Sequence, residues 1–166
     1  PEVMEKMIIR CAELHIEHIG TSGDPFEYGS SRPLDFGHWS AHKIEELTGG
    51  KVQHGEAVAA GIALDSLYSL HTGLINEIEL RKIFSTLEDI GFELYHWSLN
   101  WMDINKALQE FQEHLGGRLT IPLLNGIGSR KDVNEIDTVL LKKCVNILAA
   151  RYKGKDTSSA MQAVRT

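Results

Sequence analysis

Three histidines, His38, His42 and His54, fall within 17 residues of one another. His38 and His42 are spaced i, i+4, which places both imidazoles on one face of a helix. His54 opens a second helical run. Neutral imidazole is a good ligand for a divalent metal, and a helix face can hold two in register. A bare H-x-x-x-H says little alone, because two half-exposed surface histidines give the same pattern. The surrounding text says more. Pro33-Leu34-Asp35-Phe36-Gly37 leads into His38, and His54 begins the run His54-Gly55-Glu56-Ala57-Val58-Ala59-Ala60-Gly61. Glu45 lies one turn past His42, and Glu56 two residues past His54. Either carboxylate could support a metal-bound imidazole through a hydrogen bond.

The elements that would position these groups are mostly helices. Residues 2–19 carry apolar residues at Val3, Met4, Met7, Ile8, Cys11, Leu14 and Ile19, a helical period. Gly20 to Pro25 breaks it, and residues 24–36 read as loop. A helix is expected from Gly37 to Leu47, stopped at Thr48-Gly49-Gly50. Residues 54–72 read as a long apolar helix whose alanines and glycines permit close helix packing or close approach of a ligand. Asn76 caps a helix over 77–90, and Asp103 one over 104–114. Residues 92–101 are aromatic-rich and irregular. Arg118 to Leu124 is a strand candidate that Pro122 demotes to an edge, Asn125 to Gly128 turns the chain, and Val133 could begin a second extended piece. A last amphipathic helix is expected over 135–152, and residues 153–166 read as a frayed tail. The expected fold class is mainly α: a multi-helix domain with a small β element near residues 118–134.

Composition excludes several classes. The chain has 166 residues, enough for one domain with a core. Net charge is −6, which argues against nucleic acid. No apolar run reaches the length of a membrane span, and no signal peptide is visible. Cys11 and Cys144 lie in amphipathic patterns and read as buried free thiols of a reducing, cytoplasmic compartment.

The stretch Arg32 to Glu45, RPLDFGHWSAHKIE, followed by HGEAVAAG from His54 to Gly61, resembles the metal-site core of the sugar phosphate cyclases, among them 3-dehydroquinate synthase. The pattern is dense over residues 24–70 and thinner elsewhere. The resemblance implies the C-terminal, metal-binding domain of a two-domain enzyme. No Gly-rich strand-turn-helix fingerprint is present, so the nucleotide-binding domain that precedes it in the family is expected outside this chain.

The resemblance also implies roles. Spacing alone pairs His38 with His42, whereas the family pairs His38 with His54 as metal ligands, with a third ligand, a glutamate, upstream of this chain. The metal would be zinc or cobalt, and NAD would be bound mainly by the N-terminal domain. His42 aligns with a histidine that contacts substrate and shuttles protons, and Glu27 with a proton-accepting glutamate. The plainer readings are an orienting residue and a solvated loop charge. Arg32, Asp35 and His15 fall at or beside substrate-binding positions. Asp35 stands where dehydroquinate synthases usually have asparagine, and could instead simply cap the following helix. Ser31 stands where an arginine is usual, with Arg32 one residue on. His15 replaces a lysine, and Glu110 to His114 replaces a segment rich in lysine. The implied activity converts a ketose phosphate to a carbocycle with phosphate elimination, by a protein that is a homodimer when intact. Two rivals remain: a metal-dependent polyol dehydrogenase of the same fold, and a non-catalytic helical assembly domain.

Overall fold

The computed structural model describes residues 2–21 and 34–163, with side chains described as far as Gly154. The chain divides into two units, residues 1–31 and 32–166. The first contributes one described helix, α1 (Glu2–Thr21). None of its residues is buried, and Val3, Met7 and Ile16 stand open to solvent. Cys11 is therefore exposed, not buried as its place in the apolar stripe suggests. The stripe is present, but nothing covers it.

The second unit is helical with one hairpin: α2 (His38–Leu47), α3 (His54–His71), α4 (Glu77–Asp89), a 3-10 turn (Trp97–Asn100), α5 (Ile104–His114), β1 (Ile121–Leu124), β2 (Arg130–Val133) and α6 (Thr138–Ala163). Helix α3 is central and packs against α2, α4, α6 and β1. Its composition dictates this. Ala57, Ala60, Ala63, Leu64 and Leu67 are buried around its circumference, as befits a helix apolar on every face. The outer helices bury one stripe each: Ile104, Ala107, Leu108 and Phe111 on α5, and Leu141, Cys144, Val145 and Leu148 on α6. Both stripes follow the i, i+3, i+4, i+7 pattern.

The caps expected from sequence are present. Asn76 Oδ1 accepts from the Ile78 and Glu79 amides, and Asp103 Oδ1 from the Lys106 amide. The last helix starts later than its periodicity suggests. Asp137 Oδ1 accepts from the amides of Val139 and Leu140, which fixes the helix start at Thr138. Its backbone is helical as far as Ala163, beyond the expected residue 152. The hairpin pairs Ile121 with Val133 and Leu124 with Arg130. Val133 thus closes the second strand and does not open it. Pro122 is tolerated because this sheet has only two strands, so both are edges.

The contact that sets the site is the crossing of α2 and α3. Gly37, at φ 79°, faces Gly61, and a Cβ at Gly61 would lie 2.0 Å from the Gly37 carbonyl oxygen. The glycine at 61 serves close helix packing, one of the two uses its sequence context allowed. Gly61→Ala should force the helices apart and cost roughly 1–3 kcal/mol, the usual range for overpacking. A thermal melt checks it; an unchanged midpoint would show that the crossing yields freely.

Candidate functional site

The turn over residues 34–37 delivers the chain into α2 at His38. The Asp35 carbonyl accepts from the His38 amide at 2.9 Å and closes that turn. Gly37 occupies the N-cap position in the left-handed region, without a side-chain cap. Gly37, and not Asp35, holds the N-cap position. Asp35 is buried in the turn and is not among the residues lining the cavity beside His42.

One buried carboxylate fastens this turn to α3. Asp65 accepts from the Gly37 amide at 3.0 Å and from Trp39 Nε1 at 2.8 Å. Its burial is complete, which pushes its pKa up to about 7 against the pull of those two hydrogen bonds. The residues on either side of His38 are thus bonded to the helix that carries His54.

The histidines converge. The His38 ring centroid lies 5.2 Å from that of His54 and 5.8 Å from that of His42, and His42 lies 6.2 Å from His54. The two candidate pairings therefore share one cluster. A fourth ring joins it: His114, at the end of α5, lies 6.0 Å from His42. Burial among these rings holds the His42 pKa below its ordinary value, and the charges His38, His114 and His54 would carry add to the effect against the pull of Glu45. The His42 ring still reaches solvent.

The ring nitrogens distinguish the members. His54 Nδ1 lies 3.2 Å from Glu45 Oε1, and His38 Nδ1 lies 3.2 Å from the Phe36 carbonyl oxygen. Each acceptor favours the tautomer with hydrogen on Nδ1, which leaves Nε2 as the free donor pair. No such acceptor holds His42 among the described residues. Of the two carboxylates that could bond an imidazole here, Glu45 does so. Glu56 does not: it accepts from the Gln53 amide at 3.1 Å and closes a capping box at the start of α3.

Among the described residues no set of three or more His, Cys, Asp or Glu is arranged to hold a metal ion. The donor chemistry fits a divalent cation as a partial set, two imidazoles with their Nδ1 atoms engaged, that needs a further ligand. Glu27 and Arg32 lie outside the described residues. His15 is exposed on α1, in the other unit.

Beside His42 a cavity of about 250 Å³ opens between α2 and α5. Lys43 lines it, with only 7% of its side chain exposed, and donates at 2.7 Å to Glu46 and at 2.7 Å to Glu110. Sequence reasoning singled out neither Lys43 nor Asp65. His114 and Glu110 had been noted only as a departure from a family pattern. Lys43 and Glu110 are 67 residues apart and nothing local links them. His114 had one usable signal, an imidazole in the last turn of an amphipathic helix.

This arrangement sets two imidazoles, one at the start of each of two crossing helices, side by side with their Nδ1 atoms held by acceptors. Residues 1–114 match the family model described as 3-dehydroquinate synthase C-terminal, and the chain belongs to that family. It is 31% identical over 132 residues to the 3-dehydroquinate synthase of Alkaliphilus metalliredigens, covering 79% of this chain and 36% of that protein. It is 29% identical over 126 residues to the 2-epi-5-epi-valiolone synthase of Streptomyces hygroscopicus subsp. jinggangensis, covering 76% and 30%. The solved structure of 2-epi-5-epi-valiolone synthase from that organism, with NAD+ and Zn2+ bound, superimposes at a TM-score of 0.79 with 25% identity, over 91% of this chain and 41% of the other. The chain spans about a third of the length of the curated relatives it matches. No helix among the described residues is long and apolar enough to cross a membrane.

Proposed function

We propose that this chain is the metal- and substrate-binding domain of a 3-dehydroquinate synthase-like sugar phosphate cyclase, a carbon–oxygen lyase that turns a ketose phosphate into a carbocycle with loss of phosphate. The observation that carries the reading is the His38–His54 pair, at 5.2 Å, with each Nδ1 held by an acceptor. A nucleotide-binding domain of the same protein would bind NAD and supply the third metal ligand; the greater length of the relatives supports this.

His38 and His54 would hold zinc or cobalt through Nε2, and Glu45 and the Phe36 carbonyl would keep both rings in the liganding tautomer. When bound, the metal supplies polarisation of a carbonyl and orientation of neighbouring hydroxyls, and NAD supplies reversible oxidation of a ring hydroxyl. His42, whose lowered pKa keeps it neutral at physiological pH, would accept and return protons at its ring nitrogen. Glu27 is proposed as a second proton acceptor, Arg32 as a partner for an anionic group of the substrate, and Asp35 and His15 as substrate contacts.

Phosphate release tests the reading. The longer protein that carries this domain, loaded with NAD and zinc, should liberate inorganic phosphate from a seven-carbon ketose phosphate without net accumulation of NADH. Steady NADH production from a polyol without phosphate release would instead assign the dehydrogenase activity. Neither reaction in a folded, zinc-loaded protein would favour an assembly role.

A further inference from the structure

The geometry points to the cavity between α2 and α5 as a pocket for an uncharged, hydroxyl-bearing part of the ligand, one that rejects a carboxylate. The inference rests on the proposed placement of the reacting centre at His38 and His54, and extends it to the substrate class. His42 belongs to both the histidine cluster and the cavity wall, so the two are adjacent.

The charges decide what the cavity accepts. Among the described residues that line it, the cationic side chain is Lys43, and two of its three donor hydrogens are already committed to Glu46 Oε2 and Glu110 Oε2, both at 2.7 Å. The hydrogen bonds that Lys43 donates to these carboxylates raise its pKa, and the same bond holds the Glu110 carboxyl below its usual range. Lys43 and Glu110 therefore face each other as an ion pair at neutral pH. The cavity thus offers two carboxylates against one spoken-for ammonium. Lys106 approaches Glu110 Oε1 at 3.6 Å, but it and Glu46 are both well exposed and screened by solvent, which leaves Glu110 as the stronger charge against an incoming anion. An anion entering here meets like charge at close range, and no uncommitted cation among the described lining residues receives it.

A hydroxyl meets the opposite situation. Carboxylate oxygens accept from O–H groups without a charge conflict, and the two imidazoles can donate or accept as the ligand requires. The apolar part of the wall comes from Trp39 and Phe111, both buried, which suits the C–H face of a polyhydroxylated ring. The cavity is large enough for part of such a ring and lacks the cationic lining that an anionic ligand needs.

The competing account makes Lys43, Glu46 and Glu110 a tether between α2 and α5 with no bearing on ligands. Calorimetric titration of the zinc-loaded longer protein with two probes of matched size, inositol and the hydroxylated carboxylate quinate, separates the two. Inositol should bind at least tenfold more tightly than quinate. Glu110→Gln should shrink that ratio severalfold, and Glu110→Lys should reverse it. Quinate binding as tightly as inositol, binding of neither probe, or a ratio that both variants leave unchanged would overturn the pocket; the last result, with only the melting point altered, would establish the tether. Zinc retention is read on the same samples. A protein that discriminates the probes but holds no zinc at His38 and His54 would retain the pocket and lose the cyclase reading.

Discussion

His38→Ala and His54→Ala should each weaken zinc binding by the longer protein at least about a hundredfold, on the order of 3 kcal/mol, whereas His42→Ala should cost no more than about tenfold. The expectation follows from the ring nitrogens. A metal-binding imidazole needs one nitrogen free and the other fixed. The Phe36 carbonyl lies 3.2 Å from His38 Nδ1 and Glu45 lies 3.2 Å from His54 Nδ1, so two rings meet that condition. His42 has no acceptor of this kind among the described residues. Removing Glu45 gives an independent check. Glu45→Ala leaves both candidate ligands in place but frees the His54 ring, and should weaken binding roughly tenfold to a hundredfold, the range seen when a supporting carboxylate is lost. Zinc competition with a chelating dye measures all four variants. If His42→Ala removes binding while His54→Ala does nothing, the ligand pair is the one spaced i, i+4 on α2 and the family correspondence is misplaced.

The helices were legible in the sequence because their signals are local. Apolar residues repeat with the helical period, and Asn76 and Asp103 announce the helix starts they cap. The final helix was misjudged by three residues at its start because two residues outside it, Glu135 and Ile136, fit the period while the cap at Asp137 decides the boundary. Cys11 was misjudged for a different reason: a stripe shows which face wants cover and not whether cover exists. The histidine cluster was legible in part. His38 and His42 are one helical turn apart, so helical geometry alone brings their rings near, but His54 depends on the crossing of α2 and α3 and His114 on how α5 packs. The Lys43 tether and the Asp65 anchor depend on pairings across 67 and 26 to 28 residues, and no pattern in the chain marks them. Asp65 was hidden further by its setting, an acid in the middle of an apolar helix.

Asp65 should be the residue whose loss damages stability and site together. It is 1% exposed, and both of its oxygens accept: Oδ2 from the Gly37 amide and Oδ1 from Trp39 Nε1. Asp65→Ala would strand both donors in the interior and open a small void, at a cost of roughly 2–4 kcal/mol. At the size of this domain that lowers the melting midpoint by about 5 °C or more. The His38-bearing turn would lose its tie to α3, so zinc affinity should fall as well, by about tenfold. A second signature comes from titration. Burial raises the folded pKa of Asp65 to about 7, above its unfolded value near 4. Between those values the folded state binds the proton and the unfolded state does not, so this group makes stability fall as pH rises from about 4 to about 7. Below that window the contribution is fully present, and above it the ionised form is buried at a cost. The groups facing Asp65 are Trp39 and the Gly37 amide, which do not titrate in this range, and Cys144, whose thiol is pushed up to about 11 by burial and stays neutral. Asp65→Asn keeps the shape and removes the ionisation, so denaturant titrations from pH 4.5 to 7.5 should show a flatter stability profile in the variant than in the wild type. Parallel profiles would mean that Asp65 is ionised throughout that range and that its hydrogen bonds outweigh its burial.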